Sequence, residues 1–267
     1  MEDEQPRRSK PDVRISPDLA TLSRAMAPAV ADLIRQRTAA GKLFSLVLSG
    51  GSTPRALYQL LAAEFRDRID WPKVHVFWGD ERYVPLDDPR SNYRMAEESL
   101  LSRVPLPREN IHPIPTDFPE PEEAARRYEK TLRDYFSSDW PHFDLVLLGL
   151  GEEGHTASLF PGAAALGEQR RWVVAVSAPA EPRLRLTLTL PALSHANHVY
   201  FLTTGEKKAP ALRDVLAAFR HVRNETLSAA SNRVILPAAM IQPEGGEIVW
   251  WVDQSAAALL LHTDISD

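Results

Sequence analysis

The sequence predicts an α/β protein built on an open, mainly parallel sheet flanked by helices. Three observations predict it. Short apolar runs such as Val74 to Trp78 and Phe143 to Leu148 are nearly continuous, as strands buried on both faces are. Segments with apolar residues at helical spacing lie between them, for example Leu57, Leu60, Leu61 and Phe65. Polar turns follow the runs. Strand alternating with helix gives a Rossmann-like sheet, whose ligands collect beyond the carboxyl ends of the strands.

Residues 1–11 are charged and lack an apolar stretch, the composition of a disordered leader rather than a secretory signal. Residues 12–267 are expected to form one domain. Leu19, Leu22, Met26, Val30, Leu33 and Ile34 predict a first helix, interrupted and kinked at Pro28. Leu43 to Leu48 is a strand leading into Ser49-Gly50-Gly51-Ser52-Thr53-Pro54. There Thr53 is the expected N-cap and Pro54 the first helical residue. Val74 to Trp78 ends in Gly79-Asp80-Glu81-Arg82-Tyr83, and Ser91-Asn92 caps a helix through Met95 and Leu100. An amphipathic helix covers about 122–136.

Phe143 to Leu148 then runs into Gly149-Leu150-Gly151-Glu152-Glu153-Gly154-His155, where a helix is expected to start. Trp172 to Val176 is another strand. From Arg183 to Leu190 leucines alternate with Arg185, Thr187 and Thr189, which predicts a half-exposed strand. His198 to Leu202 precedes a turn through Gly205, Lys207 and Lys208, and a helix through Leu212, Leu216 and Phe219. Ile248 to Val252 is the last strand, and Asp253 to Leu261 a closing helix.

The 267 residues carry 44% hydrophobic and 25% charged side chains, as soluble globular chains do. A net charge of −5 argues against nucleic acid or an anionic membrane as main partner. No apolar run approaches the ~20 residues that span a bilayer. The absence of cysteine excludes disulfides, thiolate metal sites and a cysteine nucleophile, and fits a reducing cytoplasm.

Four polar turns fall at strand carboxyl ends and predict one shared site. The Ser49–Thr53 turn lacks the Gly-Lys-Ser/Thr ending of a nucleotide loop, so it reads as a site for one phosphate at a helix N-terminus. A plain helix-cap turn is the alternative. Lys208 and Arg185 are candidates to complete that site, with Lys207 and Arg183 as alternates or all four as solvated cations. Asp80 and Arg82 are either an ion pair or catalytic groups. Gly149 to Gly154 matches G-x-G-x-x-G, but the acidic residue expected about 20 positions on is replaced by Val173-Val174-Ala175-Val176, against a dinucleotide. A histidine delivered by such a turn suits acid/base catalysis. His195 and His198 lack a third ligand nearby, so no metal site is expected. No G-x-S-x-G elbow occurs.

Together these motifs resemble the 6-phosphogluconolactonases. The resemblance rests on Ser49 to Pro54, Trp78-Gly79-Asp80-Glu81-Arg82-Tyr83-Val84-Pro85, Ser91-Asn92-Tyr93, Gly151 to Pro161, Arg185 to Pro191, the Lys208 turn and Trp250-Trp251-Val252-Asp253. It departs at Glu153, where that family usually has aspartate. The resemblance implies hydrolysis of 6-phospho-D-glucono-1,5-lactone without a cofactor. His155 would activate water, with Arg82, Asp80 and Glu153 around it. Ser49, Gly50, Gly51, Ser52, Thr53, Asn92, Arg185 and Lys208 would hold the substrate and its phosphate. Backbone N–H groups of a glycine turn would help Arg82 stabilise the oxyanion, and Asp80 would hold Arg82 or a sugar hydroxyl.

The chain is also weakly similar to the related glucosamine-6-phosphate deaminases. Those carry Asp-Glu-Tyr at Asp80-Glu81-Arg82, and a glutamate that assists proton transfer at Phe160. An apolar ring cannot do that work, which favours the lactonase. A deaminase-like enzyme and a non-catalytic sugar-phosphate sensor are the alternatives. The expected partner is a small phosphorylated lactone, and the expected state a cytoplasmic monomer or small homo-oligomer.

Overall fold

The computed structural model describes residues 12–221, 236–243 and 245–260. The expected leader lies outside the described residues. Six strands form one wholly parallel sheet. In chain order they are β1 (Asp12–Ser16), β2 (Phe44–Leu48), β3 (Val74–Trp78), then, past a three-residue β4 (Asp80–Arg82), β5 (Leu145–Gly149). Next come β6 (Val173–Ser177) and β7 (Leu184–Leu188), which leave that sheet, then β8 (His198–Thr203) and β9 (Glu247–Asp253). The parallel order is β1-β9-β8-β5-β2-β3. Every residue of β2, and Leu145–Leu148 of β5, is buried, so the continuous apolar runs do mark central strands covered on both faces. The helices are α1 (Leu19–Ala39), α2 (Ser52–Glu64), α3 (Asn92–Ser99), α4 (Pro121–Phe136), the short α5 (Leu190–Ser194), α6 (Ala209–His221) and the short α7 (Pro237–Met240).

From β2 the chain moves outward to β3, and from β5 outward to β8 and β9. The order therefore switches direction between β2 and β5, and the crevice beyond their carboxyl ends is where such sheets take ligands. Two buried tyrosines fix the strand ends there. The Tyr58 hydroxyl donates to Ser49 O and accepts from Ser49 N, both at 3.0 Å. Tyr128 does the same for Trp78, at 3.1 and 2.9 Å. Burial raises both phenol pKa values, so the hydroxyls keep their donor protons.

The structure corrects several expectations. β1 is a strand that the sequence did not announce, because at the sheet edge only Ser16 of its five residues is buried and no apolar run is needed. α1 continues through Pro28, capped by Asp18 accepting from Thr21 N at 2.7 Å. Thr53 is not the cap of α2. That helix starts at Ser52 after Gly51, whose φ of 110° favours glycine, and Thr53 Oγ1 instead meets Thr204 Oγ1 at 2.7 Å. Among the described residues no helix follows Asp253: residues 254–260 form turns, the first tied by Ala256 N donating to the Asp253 carboxylate at 2.7 Å.

The region 183–190 is not half-exposed. β7 is the central strand of a second, antiparallel sheet, β4-β7-β6. Arg183 and Leu184 are exposed at the start of the region, but Arg185, Thr187 and Thr189 are buried along with Leu186, Leu188 and Leu190. The alternation is real, but its polar face turns toward other protein groups: Thr187 Oγ1 accepts from Ser158 N, and Thr189 Oγ1 donates to Arg171 O.

Candidate active site

Each polar turn holds its shape through a small number of contacts. In the turn after β5, Gly151 N donates to His155 O at 2.8 Å and Gly154 N to Gly151 O at 3.1 Å. Gly154 has φ +83°, and a Cβ at Gly151 would stand 1.9 Å from His155 Nδ1. Both glycines are therefore required by this loop. Ala157 also has positive φ, 48°, an uncommon strain for a residue with a side chain. The helix expected at His155 does not form, since residues 155–163 carry none. Without a helix N-terminus, and with two of its N–H groups spent internally, this turn cannot cradle a pyrophosphate. For the same reason Gly151 and Gly154 supply no oxyanion donors.

The His155 side chain is part-buried, with 26% of its surface exposed. Burial holds its imidazole below the ordinary range, and the Lys208 charge adds to that, against upward pulls from Glu153 and Asp80. The ring is therefore neutral at pH 7. Glu153 Oε1 lies 2.9 Å from Nδ1, and Nδ1 is otherwise unpartnered. Burial pushes the Glu153 carboxyl up, but its own backbone N–H, His155 and Lys208 outweigh this and hold it low.

Asp80 does not pair with Arg82. Its Oδ2 accepts from Ser158 Oγ at 2.6 Å and its Oδ1 from Asn92 Nδ2 at 3.2 Å. Asn92 Nδ2 also donates to Asp80 O at 2.9 Å. A Cβ on Gly50 would fall 1.8 Å from Asn92 Oδ1, so Gly50 is small to admit this amide. Asn92 is thus committed to supporting Asp80. Arg82 Nη1 donates to Arg90 O at 2.7 Å, while its buried Nε has no partner.

Arg82 stands directly opposite Arg185 in the β4–β7 register, with both side chains on one face. Like charges so placed repel. Burial and the Arg82 charge both push Arg185 down, against Asp80 and Glu153. Its guanidinium is anchored only through Nε to Pro182 O at 3.1 Å and Nη2 to Ala180 O at 3.5 Å. Two guanidinium groups without a carboxylate on either form a ready anion site. Arg183, by contrast, is exposed and faces Glu181.

Lys208 is half-buried, its Nζ 4.0 Å from Glu152 Oε1, whereas Lys207 is exposed. Asp253 fixes this turn by accepting from Gly205 N at 3.0 and 3.1 Å. The Thr53–Thr204 contact ties it to the Ser49–Thr53 turn. Gly51, Ser52 and Thr53 begin α2, where N–H groups lack intrahelical partners.

Among the described residues, seven buried side-chain polar atoms lack a hydrogen bond. Three are tryptophan indoles. The other four are Ser49 Oγ, Thr203 Oγ1, Arg82 Nε and His155 Nδ1, at or beside the carboxyl end of the sheet. Buried polar groups are normally satisfied, so their clustering marks where a polar ligand fits. A cavity of about 620 Å³ opens at the other end of the sheet, by Phe44, Asp144, His198 and Glu247. None of the expected site residues lines it. His195 bonds Pro191 O and His198 faces Glu247, and the described residues hold no cluster of three metal-ligating side chains.

Four supporting residues carried no sequence signal of their own role. Glu81 is fully buried and accepts from Arg82 N, Asn92 N and Tyr93 N, all at 2.7 Å, and from Ser91 Oγ. A carboxylate there suits the N-terminus of α3, although burial pushes its pKa up to about 7. Ser158, Thr187 and Asp253 are the others. Ser158→Ala should remove the donor to Asp80 and cost about 1–3 kcal/mol of stability. Denaturant melts of the two proteins check this, and an unchanged midpoint would mean that the 2.6 Å bond contributes nothing.

The family model described as glucosamine-6-phosphate isomerases/6-phosphogluconolactonase matches residues 17–250. The chain belongs to this family. Within the glucosamine-6-phosphate isomerase/6-phosphogluconolactonase family, a 6-phosphogluconolactonase from Synechocystis sp. is 43% identical over 215 residues, covering 79% of this chain and 82% of the relative. The crystal structure of 6-phosphogluconolactonase from Thermotoga maritima superposes with a TM-score of 0.76 at 30% identity, over 91% of this chain and 100% of that one. A monomeric glucosamine-6-phosphate deaminase superposes with a TM-score of 0.75 at 20% identity, over 93% and 99% of the two chains. That last likeness is one of fold.

Proposed function

We propose that the protein hydrolyses 6-phospho-D-glucono-1,5-lactone to 6-phospho-D-gluconate, the second step of the oxidative pentose phosphate pathway. The observation that carries this is a neutral, part-buried His155 linked through the Phe160 ring to Arg185, one of two opposed guanidinium groups with no carboxylate on either. A base and an anion site in one crevice fit a phosphorylated ester. The carboxylate beside Nδ1 favours the proton on that nitrogen, which leaves Nε2 to accept one.

Nε2 takes a proton from water as its oxygen attacks C1, giving a tetrahedral oxyanion. The C1–ring oxygen bond then breaks and the imidazolium returns its proton to that oxygen, which leaves as a hydroxyl. The acid product ionises in solution. Arg82 Nε, unpartnered and close to Asp80, faces the oxyanion role. The free N–H groups of the Ser49–Thr53 turn, Arg185 and Lys208 hold the phosphate, so remote binding energy places the ester over the base. Asp80 and Asn92 support this edge rather than touch the phosphate. Glu153 acts electrostatically on His155.

Because the base must be unprotonated, kcat/KM should be flat above the His155 pKa and fall tenfold per pH unit below it. The limb should lie under the ordinary imidazole value of about 6.5, since burial lowers this ring. A pH–rate profile on freshly made lactone checks this, and a limb above 6.5 would contradict it. Ammonia release from glucosamine 6-phosphate, with no lactone turnover, would favour the deaminase-like alternative. No helix among the described residues is long and apolar enough to cross a membrane. A cytoplasmic site of action fits the cysteine-free chain, and cell fractionation tests it. Chromatography with light scattering tests for a monomer or small homo-oligomer.

A further inference from the structure

The His155 ring has one polar contact to set its orientation, Glu153 Oε1 at 2.9 Å from Nδ1, and that carboxylate side chain is itself half-exposed. Histidines used as bases are commonly aimed by such a contact. Here the rest of the ring is bounded by groups that pack against it. The Gly151 backbone lies so close that a Cβ would come within 1.9 Å of Nδ1, 2.3 Å of Cε1 and 2.7 Å of Cγ. The Phe160 ring lies 4.6 Å from the imidazole centroid, tilted by 40°. Phe160 is itself buried, and Arg185 Cζ sits 5.8 Å from its centroid. One phenyl ring therefore touches both the base and an anion-binding guanidinium.

We propose that Phe160 is a positioning residue, whose ring, with Gly151, aims the His155 imidazole and shields it from water. This rests on the reading of His155 as the base. The charged groups facing His155 are Glu153 from its own turn, Asp80 from β4 and Lys208 from the turn after β8. Arg185 of β7 stands beyond Phe160, and Glu152 faces Lys208. Both carboxylates next to the ring favour its protonated form. What outweighs them is chiefly burial, and Phe160 is the aromatic side chain in contact with the imidazole. An apolar wall at this point does two things. It disfavours imidazolium, and it restricts the ring to the orientation that presents Nε2 to the crevice.

The test replaces Phe160 by a polar residue of smaller size and by an apolar one. Phe160→Asn should raise the His155 pKa by about one unit or more, read by NMR titration with the resonance assigned by comparison with His155→Asn. The acid limb of kcat/KM on freshly made 6-phosphogluconolactone should rise with it. The plateau kcat should fall about 10–100-fold, with KM changed much less. Phe160→Leu keeps an apolar cover, so its limb should stay near wild type and only kcat should fall. A merely structural role would lower the melting temperature and leave both pH readouts in place.

A folded Phe160→Asn protein with unmoved His155 titration overturns the proposal. If that variant does not fold, Phe160→Ala read the same way decides. A titration that moves while the kinetic limb does not would support the positioning role and overturn His155 as the base, so the two failures are distinguishable.

Discussion

His155→Asn should lower kcat on the phosphorylated lactone by about 10²–10⁴-fold, the usual worth of a positioned general base. The effect should fall on kcat, because the groups assigned to the phosphate lie on other elements: α2, β7 and the turn after β8. The fold should survive. The polar contact of the His155 ring is to the half-exposed Glu153 carboxylate, and asparagine is smaller than the space bounded by Gly151 and Phe160. Kinetics beside thermal melts check this. Near wild-type kcat with an unchanged melting temperature would remove His155 from the base role.

Arg185→Ala should weaken kcat/KM for the phosphorylated lactone by about 10–100-fold, as loss of charged hydrogen bonds worth roughly 1.5–3 kcal/mol implies. Lys208→Ala should act in the same direction, and less strongly, because a point charge at the half-exposed rim is partly screened. Unphosphorylated gluconolactone should change far less with either variant. Arg185 is held only by two backbone carbonyls and stands opposite Arg82. Its removal relieves a repulsion, so stability should drop little. Arg185→Lys keeps the charge but loses the planar fork and should recover only part of the rate. Comparing both substrates is the decisive feature. An equal loss on each would mean that Arg185 serves the ester or the fold, not the phosphate.

The parallel sheet and its polar edge were legible in the sequence because burial on both faces leaves a continuous apolar record, as in β2 and β5. Phe143 to Leu148 and Val74 to Trp78 predicted their strands to within two residues. What the sequence hid depended on contacts distant along the chain. Thr187 and Thr189 looked solvated because alternation alone does not say what covers the polar face, and here Ser158 and Arg171 meet it. Thr53 fits an N-cap locally, but Thr204 is its partner, 151 residues on. Asp80 and Arg82, two apart on a strand, suggest a pair, yet Ser158 and Asn92 claim the carboxylate. The helix expected at His155 fails because Gly154 and Ala157 both take positive φ, which breaks a right-handed helix. His155 and Lys208 stood out because polar turns at strand carboxyl ends are where such sheets take ligands, and Arg185 because it alternates with leucines along its strand. Glu81, Ser158 and Asp253 did not, because their partners are backbone groups or residues far along the chain.

The most direct measurement is the rate of disappearance of freshly made 6-phosphogluconolactone with and without purified protein, at fixed pH and ionic strength. The lactone hydrolyses on its own, so the quantity of interest is the excess over that background. A saturable acceleration that His155→Asn abolishes is the result the mechanism requires. A rate equal to the spontaneous one at every protein concentration, while sugar phosphates still raise the melting temperature, would instead make this crevice a binding site without catalysis.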